Sequence, residues 1–440
     1  MRMQLMSGKS IRNTVTAITA TLLGSGTGAA IHAQSGKVES SLLLYSETDR
    51  VKAAEGVLSY TKQLQGDRTL GVQLTLDGLT GASPNGATPS TLAQTFTRPS
   101  GNGGYVVQPG EIPLDKTFKD TRYAADVSFS EPLDRLTRWT VGGHLSAEHD
   151  YSSFGVNTGL TRDFNRRNTT VGISGSFSHD LVSPLGGAPD PFSEMQPSTN
   201  SGEEGGIEDG EREGQGGTGG GKGKNVFDAV FSVTQILDRK TILRLNLSLN
   251  RTTGYLSDPY KLLSVVANQG TADAGEPVAY IYEKRPGARN QKAVFAELRR
   301  YIAGSTVDLS YRYFWDSWGI KAHTAELFYR LPIARGKSIE PHLRWYHQTE
   351  SDIHRYYLVA GQPVPTYASA DSRLAQFSAL TAGLSYSFPV DDVTRLSLSA
   401  EYYAQFGKRG PPDAIGILRN YDLFPRLRAL MFRVGLSHDL

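Results

Sequence analysis

The chain has no cysteine among its 440 residues. That absence excludes disulfides, thiolate metal sites, a lipid-anchoring cysteine and covalent haem attachment, each of which needs a sulfur atom. An excess of one charge sign is also missing: 46 Lys and Arg against 44 Asp and Glu leave a formal charge of +2. Nucleic acid selects a basic stripe, so no nucleic-acid partner is expected. Beyond the first thirty residues no apolar run approaches the roughly 18 residues that a spanning helix requires. If the chain crosses a membrane, it crosses as strands.

The N-terminal segment differs from the rest. Lys9 and Arg12 form a basic flank, Val15 to Leu23 an apolar stretch with Thr interruptions, and Gly24 to Ala33 a tail of small residues. This order reads as a secretory signal, residues 1–33, with cleavage expected after Ala33 and residues 34–440 as the mature part. The competing reading, a membrane anchor, meets an apolar stretch too short to span.

The clearest pattern runs from Ser305 to Glu350. Val307, Leu309, Tyr311, Tyr313 and Trp315 alternate with Thr306, Asp308, Ser310, Arg312 and Asp316. The alternation resumes as Ala325, Leu327, Tyr329 and Leu331 against Thr324, Glu326, Phe328 and Arg330. It returns as Ile339, Leu343 and Trp345 against Glu340, His342, Arg344 and Gln348. A period of two gives each strand one apolar and one charged face. In a soluble sandwich the apolar face would be the core; in a transmembrane barrel it meets lipid, and the charged face lines a wet lumen. Segments of about 10 to 14 residues exceed the soluble strand of roughly 5 to 6 and match a tilted bilayer crossing. Tyr313, Trp315, Trp318, Tyr329, Trp345 and Tyr346 gather at segment ends, where an aromatic girdle is expected. Both features favour an all-β fold, a single transmembrane antiparallel β-barrel of outer-membrane type.

Candidate strands laid end to end are Lys37 to Glu47, Lys52 to Leu64, Asp67 to Leu79, Phe118 to Glu131, Leu136 to His149, Ser152 to Phe164, Asn168 to Leu181, Asn225 to Leu237, Lys240 to Gly254, Lys292 to Ala303, Ser305 to Asp316, Lys321 to Leu331, Lys337 to Glu350, Ser372 to Phe388, Thr394 to Gly407 and Leu427 to Leu440, about sixteen in all. An even count places both termini beside the short turns. Every long connection, Thr80 to Thr117, Val182 to Lys224, Tyr255 to Gln291, Ser351 to Asp371 and Lys408 to Arg426, falls on the other side. Leu42, Leu43 and Leu44 blur the first strand, and Val278 to Glu283 reads as either a further strand or an extension.

In the last segment Leu430, Phe432, Val434, Leu436, His438 and Leu440 share one face. Such a strand resembles the signal read by the barrel-assembly machinery, although Leu440 replaces the usual terminal Phe; the plainer reading is a closing strand. Residues 182–224 are rich in Gly and carry Glu203, Glu204, Glu208, Asp209, Glu211 and Glu213. So little apolar area does not offset ordering entropy, which predicts a disordered external loop. A divalent-cation site there would need six or more oxygens held in geometry.

Parity places the acids Asp126, Glu148, Asp228, Glu297, Asp308, Asp316, Glu326, Glu340 and Glu401 inside. With them go the bases Arg244, Arg299, Arg312, Arg330, Arg344, Arg395 and Arg433, and His144 and His342. The candidates for lining the lumen are Asp308, Arg312, Asp316, Glu326, Arg330, Glu340, His342, Arg344, Arg395 and Glu401. Neighbouring strands bring Arg312 near Glu326 and Arg330 near Glu340, so cross-strand ion pairing explains them; a pore lined by both signs is the functional alternative. No Gly-x-Ser-x-Gly or His-Glu-x-x-His occurs, and His342 and His347, like His144 and His149, point to opposite faces. No catalytic, metal or cofactor residue is therefore assigned.

The strings YLSDPYKLLSV (Tyr255 to Val265), EKRPGARNQ (Glu283 to Gln291), SYRYFWDSWGIKAHTAELFYR (Ser310 to Arg330), IEPHLRWYHQT (Ile339 to Thr349) and YASADSRL (Tyr367 to Leu374) resemble one bacterial family. That family is catalogued only as a domain of unknown function. The resemblance covers most of the mature chain, apart from residues 182–224. It implies an outer-membrane barrel and carries over no catalytic or binding residue. In the loops, Lys284, Arg285 and Arg289 are placed to meet acids at the barrel mouth. The leading functional expectation is a porin-like passage for small hydrophilic solutes or ions, in contact with outer-membrane lipid and partly constricted by loops. The alternative is a non-conducting scaffold that docks a periplasmic partner, for which the resemblance hints at a redox or metal context. A membrane-embedded hydrolase is the third.

Overall fold

The structure, a computed structural model, describes residues 36–97, 103–184, 186–196 and 220–440. The expected signal, its cleavage after Ala33 and the acids from Glu203 to Glu213 lie outside the described residues.

The strands are β1 (Gly36–Glu47), β2 (Val51–Leu64), β3 (Arg68–Pro84), β4 (Gln94–Thr97), β5 (Gly104–Val107), β6 (Leu114–Pro132), β7 (Thr137–Ala147), β8 (Tyr151–Phe164), β9 (Thr169–Val182), β10 (Lys222–Asp238), β11 (Thr241–Gly254), β12 (Leu262–Val266), β13 (Pro277–Tyr282), β14 (Ala288–Ile302), β15 (Ser305–Asp316), β16 (Lys321–Ala334), β17 (Lys337–Gln348), β18 (Leu358–Val359), β19 (Phe377–Pro389), β20 (Thr394–Gly407) and β21 (Leu427–Asp439). Sixteen of them close into one antiparallel barrel, β1-β2-β3-β6-β7-β8-β9-β10-β11-β14-β15-β16-β17-β19-β20-β21. β21 pairs back onto β1 from Lys37 opposite Asp439 to Glu47 opposite Ala429, which leaves no open edge. The other five lie in the long connections: a β4-β5 hairpin and a small sheet β13-β12-β18. Val278 to Glu283, ambiguous in the sequence, falls in β13 and its end, outside the barrel ladder.

Alternation sorts the side chains. Leu243, Leu298, Leu309, Leu327 and Leu343 stand opposite one another on five successive strands. Of these Leu309 is 52% exposed and Leu343 48%. An exposed row of leucines has no place in a water-soluble core, and it is the lipid-facing band of a transmembrane barrel. Leu42 and Leu44 face out with it, so the blurred first strand keeps its parity.

Three of the short turns share one device. Asp134 accepts from the backbone N–H groups of Leu136 (2.7 Å) and Thr137 (2.8 Å), and Asp391 from Val393 (2.9 Å) and Thr394 (2.7 Å). Asp238 accepts from Lys240 (2.7 Å). Each is an Asx turn, which closes a tight reversal by satisfying local donors. The Thr394 side chain and then these backbone bonds hold the Asp391 carboxyl below the usual range, and the backbone bonds do the same first of all for Asp134 and Asp238. The expected strand Ser372 to Phe388 instead begins at Phe377, after a 3-10 turn at Ser372–Leu374. Asp371 caps that turn by accepting from the Arg373 N–H, and this local bond replaces the ladder there.

Leu309→Arg would place a charge in the lipid band at a cost of roughly 2–4 kcal/mol, whereas Ser310→Arg points into the lumen. Urea unfolding in phosphatidylcholine vesicles is expected to separate the two, with only the first strongly destabilised. Equal losses would mean that the outward face does not meet hydrocarbon.

Candidate functional site

One wall of the lumen carries a row of charges. Arg244 meets Glu297 at 3.2 Å, and Arg299 meets Asp308 through two bonds of 2.6 and 2.9 Å. Arg330 donates to Glu340 at 2.8 Å, as its spacing predicted. His342 lies between Glu326 and Glu401, one ring nitrogen 3.0 Å from each, and stacks on Phe328 at 4.1 Å. An imidazole with a carboxylate at each nitrogen completes both bonds as donor only when doubly protonated. The row therefore runs from β11 through β14, β15, β16 and β17 to β20.

The remaining candidates take other positions. Arg344 stands opposite Glu326 and Thr381. Arg312 stands opposite Thr324, diagonal to Glu326, with its guanidinium 5.3 Å from the Phe314 ring. Arg395 sits near the short turns and donates to the Gly336 carbonyl at 2.8 Å. Asp316 is at the opposite end with its side chain fully buried: it takes Arg289 on one oxygen and the backbone N–H groups of Trp318 (2.9 Å) and Ile320 (3.0 Å) on the other.

The facing wall differs. It carries Asp126 with His144 (2.7 Å), Asp228 with Asn250 (2.7 Å) and, toward the long loops, Arg122 with Asp77 (2.6 Å) and Lys224 with Asp180 (3.5 Å), and between them it presents Ser128, Thr140, Asn157, Ser174, Ser232 and Ser248 from β6 to β11. The lumen thus carries a continuous row of charges along one side, and along the other it has separate charged pairs among hydroxyl and amide groups.

Over the long-loop end the connections fold into a cap. Ala87, Phe96, Val107, Met195 and Leu262 form one apolar cluster, joining loops that are far apart in sequence. Trp318, Ile320, Ile353 and Leu374 form a second, and Val266, Ala414 and Leu418 a third. The cap covers the upper wall: the inward-facing Ala293, Ala322, Ala379 and Ala429 are buried, while Arg395 and Ser397 near the short turns are exposed. Two expected girdle residues are corrected here. Trp318 is only 3% exposed, because its indole packs in the cap and donates to the Ala288 carbonyl (3.0 Å). Tyr346 faces inward, where it packs on Phe377 at 5.5 Å and donates to Gln348. Tyr313, Trp315 and Trp345 face outward, with Tyr313 stacked on Trp315 at 5.4 Å.

At the centre of the cap lie six buried charges that sequence reasoning missed as a group. Arg373 bonds Asp371 (2.7 Å) and Asp258 (2.7 Å); Arg285 bonds Asp371 (2.8 Å) and Glu283 (2.6 Å). Glu283 also accepts from the Asp258 N–H and from Ser369, and Lys261 donates to the Pro84 carbonyl. Three acids face three bases, so the net charge is zero. Burial opposes ionisation of Asp371 and Asp258, but Arg373 and its basic neighbours hold both carboxyls below the usual range; burial raises Glu283. The signal was present in three of the quoted strings, which pair an acid with a base two or three residues on: Asp258 with Lys261, Glu283 with Arg285, and Asp371 with Arg373. A cleft beside the cluster is lined by Arg50, Lys261, His354, Tyr356, Arg373 and Gln405. Among the described residues no group of three His, Cys, Asp or Glu could hold a metal ion.

Removing one member of such a cluster leaves an uncompensated buried charge, at a cost of roughly 3–5 kcal/mol. Asp371→Asn is expected to release the cap while the barrel stays folded, seen as faster loop cleavage by trypsin with an unchanged gel mobility for the folded form. Acid should do the same. A depressed folded pKa stabilises above the unfolded value near 3.8 and loses that effect as pH falls through the lower folded value. Cleavage rates that ignore both the substitution and acid would show that the cluster does not hold the cap.

No curated protein matches the chain. Solved structures that it resembles include the outer membrane protein opdK of Pseudomonas aeruginosa, at 10% identity and TM-score 0.39, covering 93% of this chain and 100% of that one. Another is OccD3 (OpdP) of the same organism, at 9% and 0.40, covering 94% of each. A mutant of the Pseudomonas aeruginosa ferric enterobactin receptor PfeA aligns at 9% and 0.41 over 84% of this chain and 54% of that one, so the chain spans about half the length of that receptor. Residues 13–438 match the family described as "Protein of unknown function (DUF3570)", and the chain belongs to that family.

Proposed function

We propose that this chain is an outer-membrane channel that admits small hydrophilic solutes or ions past a loop cap into a lumen of mixed charge. The observation that carries the reading is the division of the wall: leucine rows outside, and inside paired charges of both signs interspersed with hydroxyl and amide groups. Paired charges such as Arg299 with Asp308 are fixed in place, so a passing solute meets a static field of alternating sign. The cleft by Arg50, Lys261, Asp371 and Arg373 is the route past the cap, and its bases are paired with acids, so it adds no net charge of one sign at the entrance. Export by the N-terminal segment, insertion by the barrel-assembly machinery through the C-terminal strand, and residence in the Gram-negative outer membrane belong to the same proposal.

A second reading is favoured by the extent of the cap, whose apolar clusters cover the mouth. On it the barrel is a non-conducting scaffold that docks a periplasmic partner through its lumen or short turns.

Planar bilayer recording separates the two. The channel reading expects discrete steps for the native protein, a larger mean conductance for Asp371→Asn, and altered ion selectivity for a paired Arg299→Gln and Asp308→Asn change. A correctly folded protein silent in all three forms would leave the scaffold, and stoichiometric capture of a periplasmic protein from gently solubilised membranes would then support it.

A further inference from the structure

The outer surface of the barrel carries a second pattern at its long-loop end. The ladder places Lys52, Lys119, Arg251, Lys292, Lys321 and Arg428 on outward parity near the upper ends of β2, β6, β11, β14, β16 and β21, and all six are exposed. The carboxylates at the upper ends of β1, β3, β9 and β15 behave oppositely: Glu47, Asp77, Asp180 and Asp316 take inward parity and are buried. Inward Arg122, Arg244, Arg299 and Arg330 each have an acid within 3.2 Å. Among the described residues, none of the six outward bases is in an ion pair. A rim that sorts unpaired cations outward and acids inward is complementary to an anion outside the barrel.

The bases are denser on one sector. Lys292 and Lys321 stand directly opposite Trp315 from its two sides, and Arg251, opposite Asn290, is diagonal to Lys292. Ladder spacing puts the Lys292 and Lys321 backbones roughly 10 Å apart, a gap that two flexible ammonium arms can close on phosphate groups. Below them Tyr313 stacks on Trp315 (5.4 Å) and packs at a tilt against His323 (5.0 Å). Aromatic rings of this kind mark headgroup depth in a bilayer, and Val294 and Leu309 beneath are exposed for acyl chains. We infer that Arg251, Lys292, Lys321 and Trp315 form a binding surface for the phosphate groups of an anionic glycolipid in the leaflet facing the long loops. The inference rests on the membrane reading given above.

The test uses the full mature chain. Insertion into neutral phosphatidylcholine vesicles checks the membrane reading alone, and failure there would remove the basis of both. With inserted protein in hand, the thermal midpoint of the folded gel form is followed in micelles against bisphosphorylated lipid A, monophosphorylated lipid A and inorganic phosphate. The midpoint should rise with the first, by less with the second, and not with the third at equal phosphate. Arg251→Gln with Lys292→Gln and Lys321→Gln should lose at least half of the rise, while Lys62→Gln with Arg300→Gln at the short-turn end should keep it. An equal response of the triple variant and the native chain, a native chain that ignores lipid A, or a rise with inorganic phosphate alone would each overturn the proposal while leaving the barrel in its membrane.

Discussion

Hydrocarbon offers no hydrogen bonds, so every backbone N–H and C=O at membrane depth must be satisfied within the protein. The pairing of β21 with β1 meets that demand, and the rest of the structure follows from it. Once the sheet is closed, parity becomes a sorting rule with only two outcomes, lipid or lumen. Leu309 and Asp308 are neighbours in sequence, yet one faces the bilayer side and the other holds Arg299 inside. A slip of one residue anywhere would exchange the two sets, so the same alternation that marks the strands also fixes their register.

Closure solves the wall but leaves the mouth open, and the long connections deal with that end. They bury apolar clusters against one another, which means that they form a small core of their own above the lipid band. The six-charge cluster at its centre adds orientation more than attraction. Desolvating ions costs about as much as pairing them returns, but misaligned loops would bury Arg285 or Arg373 without Asp371, and that arrangement is strongly disfavoured. Glycine helps where the loops cross: Gly416 has φ of 51° and runs so close to the Ala274 carbonyl that a side chain there would collide with it.

The barrel was legible because its signal is local and repeated. Alternation in Ser305 to Asp316 or Thr394 to Gly407 marks those strands to the residue, and the side on which each long connection falls checks the count. Strand ends were less clear where a side chain outcompetes the ladder, as Asp371 does at Ser372 to Leu374. Lumen neighbours such as Arg330 and Glu340 follow from counting across a short turn. Glu401 beside His342 does not, since they are 59 residues apart on strands that are not adjacent in the sheet. The cap was the least visible part, because Asp258, Glu283 and Arg373 meet only after three loops have folded, and no periodicity announces that meeting.

Cap and lumen also constrain one another. The charged wall passes directly into the cap region through Asp316, whose carboxylate is shared between Arg289 of β14 and the turn that carries Trp318. Trp318 in turn packs with Ile353 and Leu374, next to Arg373 of the ion cluster. Barrel wall, turn, apolar cluster and ion cluster are therefore contiguous, and a change in one is felt at the next through packed contacts. On the proposed channel function, solute passage has to disturb some part of this chain. The ion cluster is the part where one lost bond costs most, so it sets how far the cap can move.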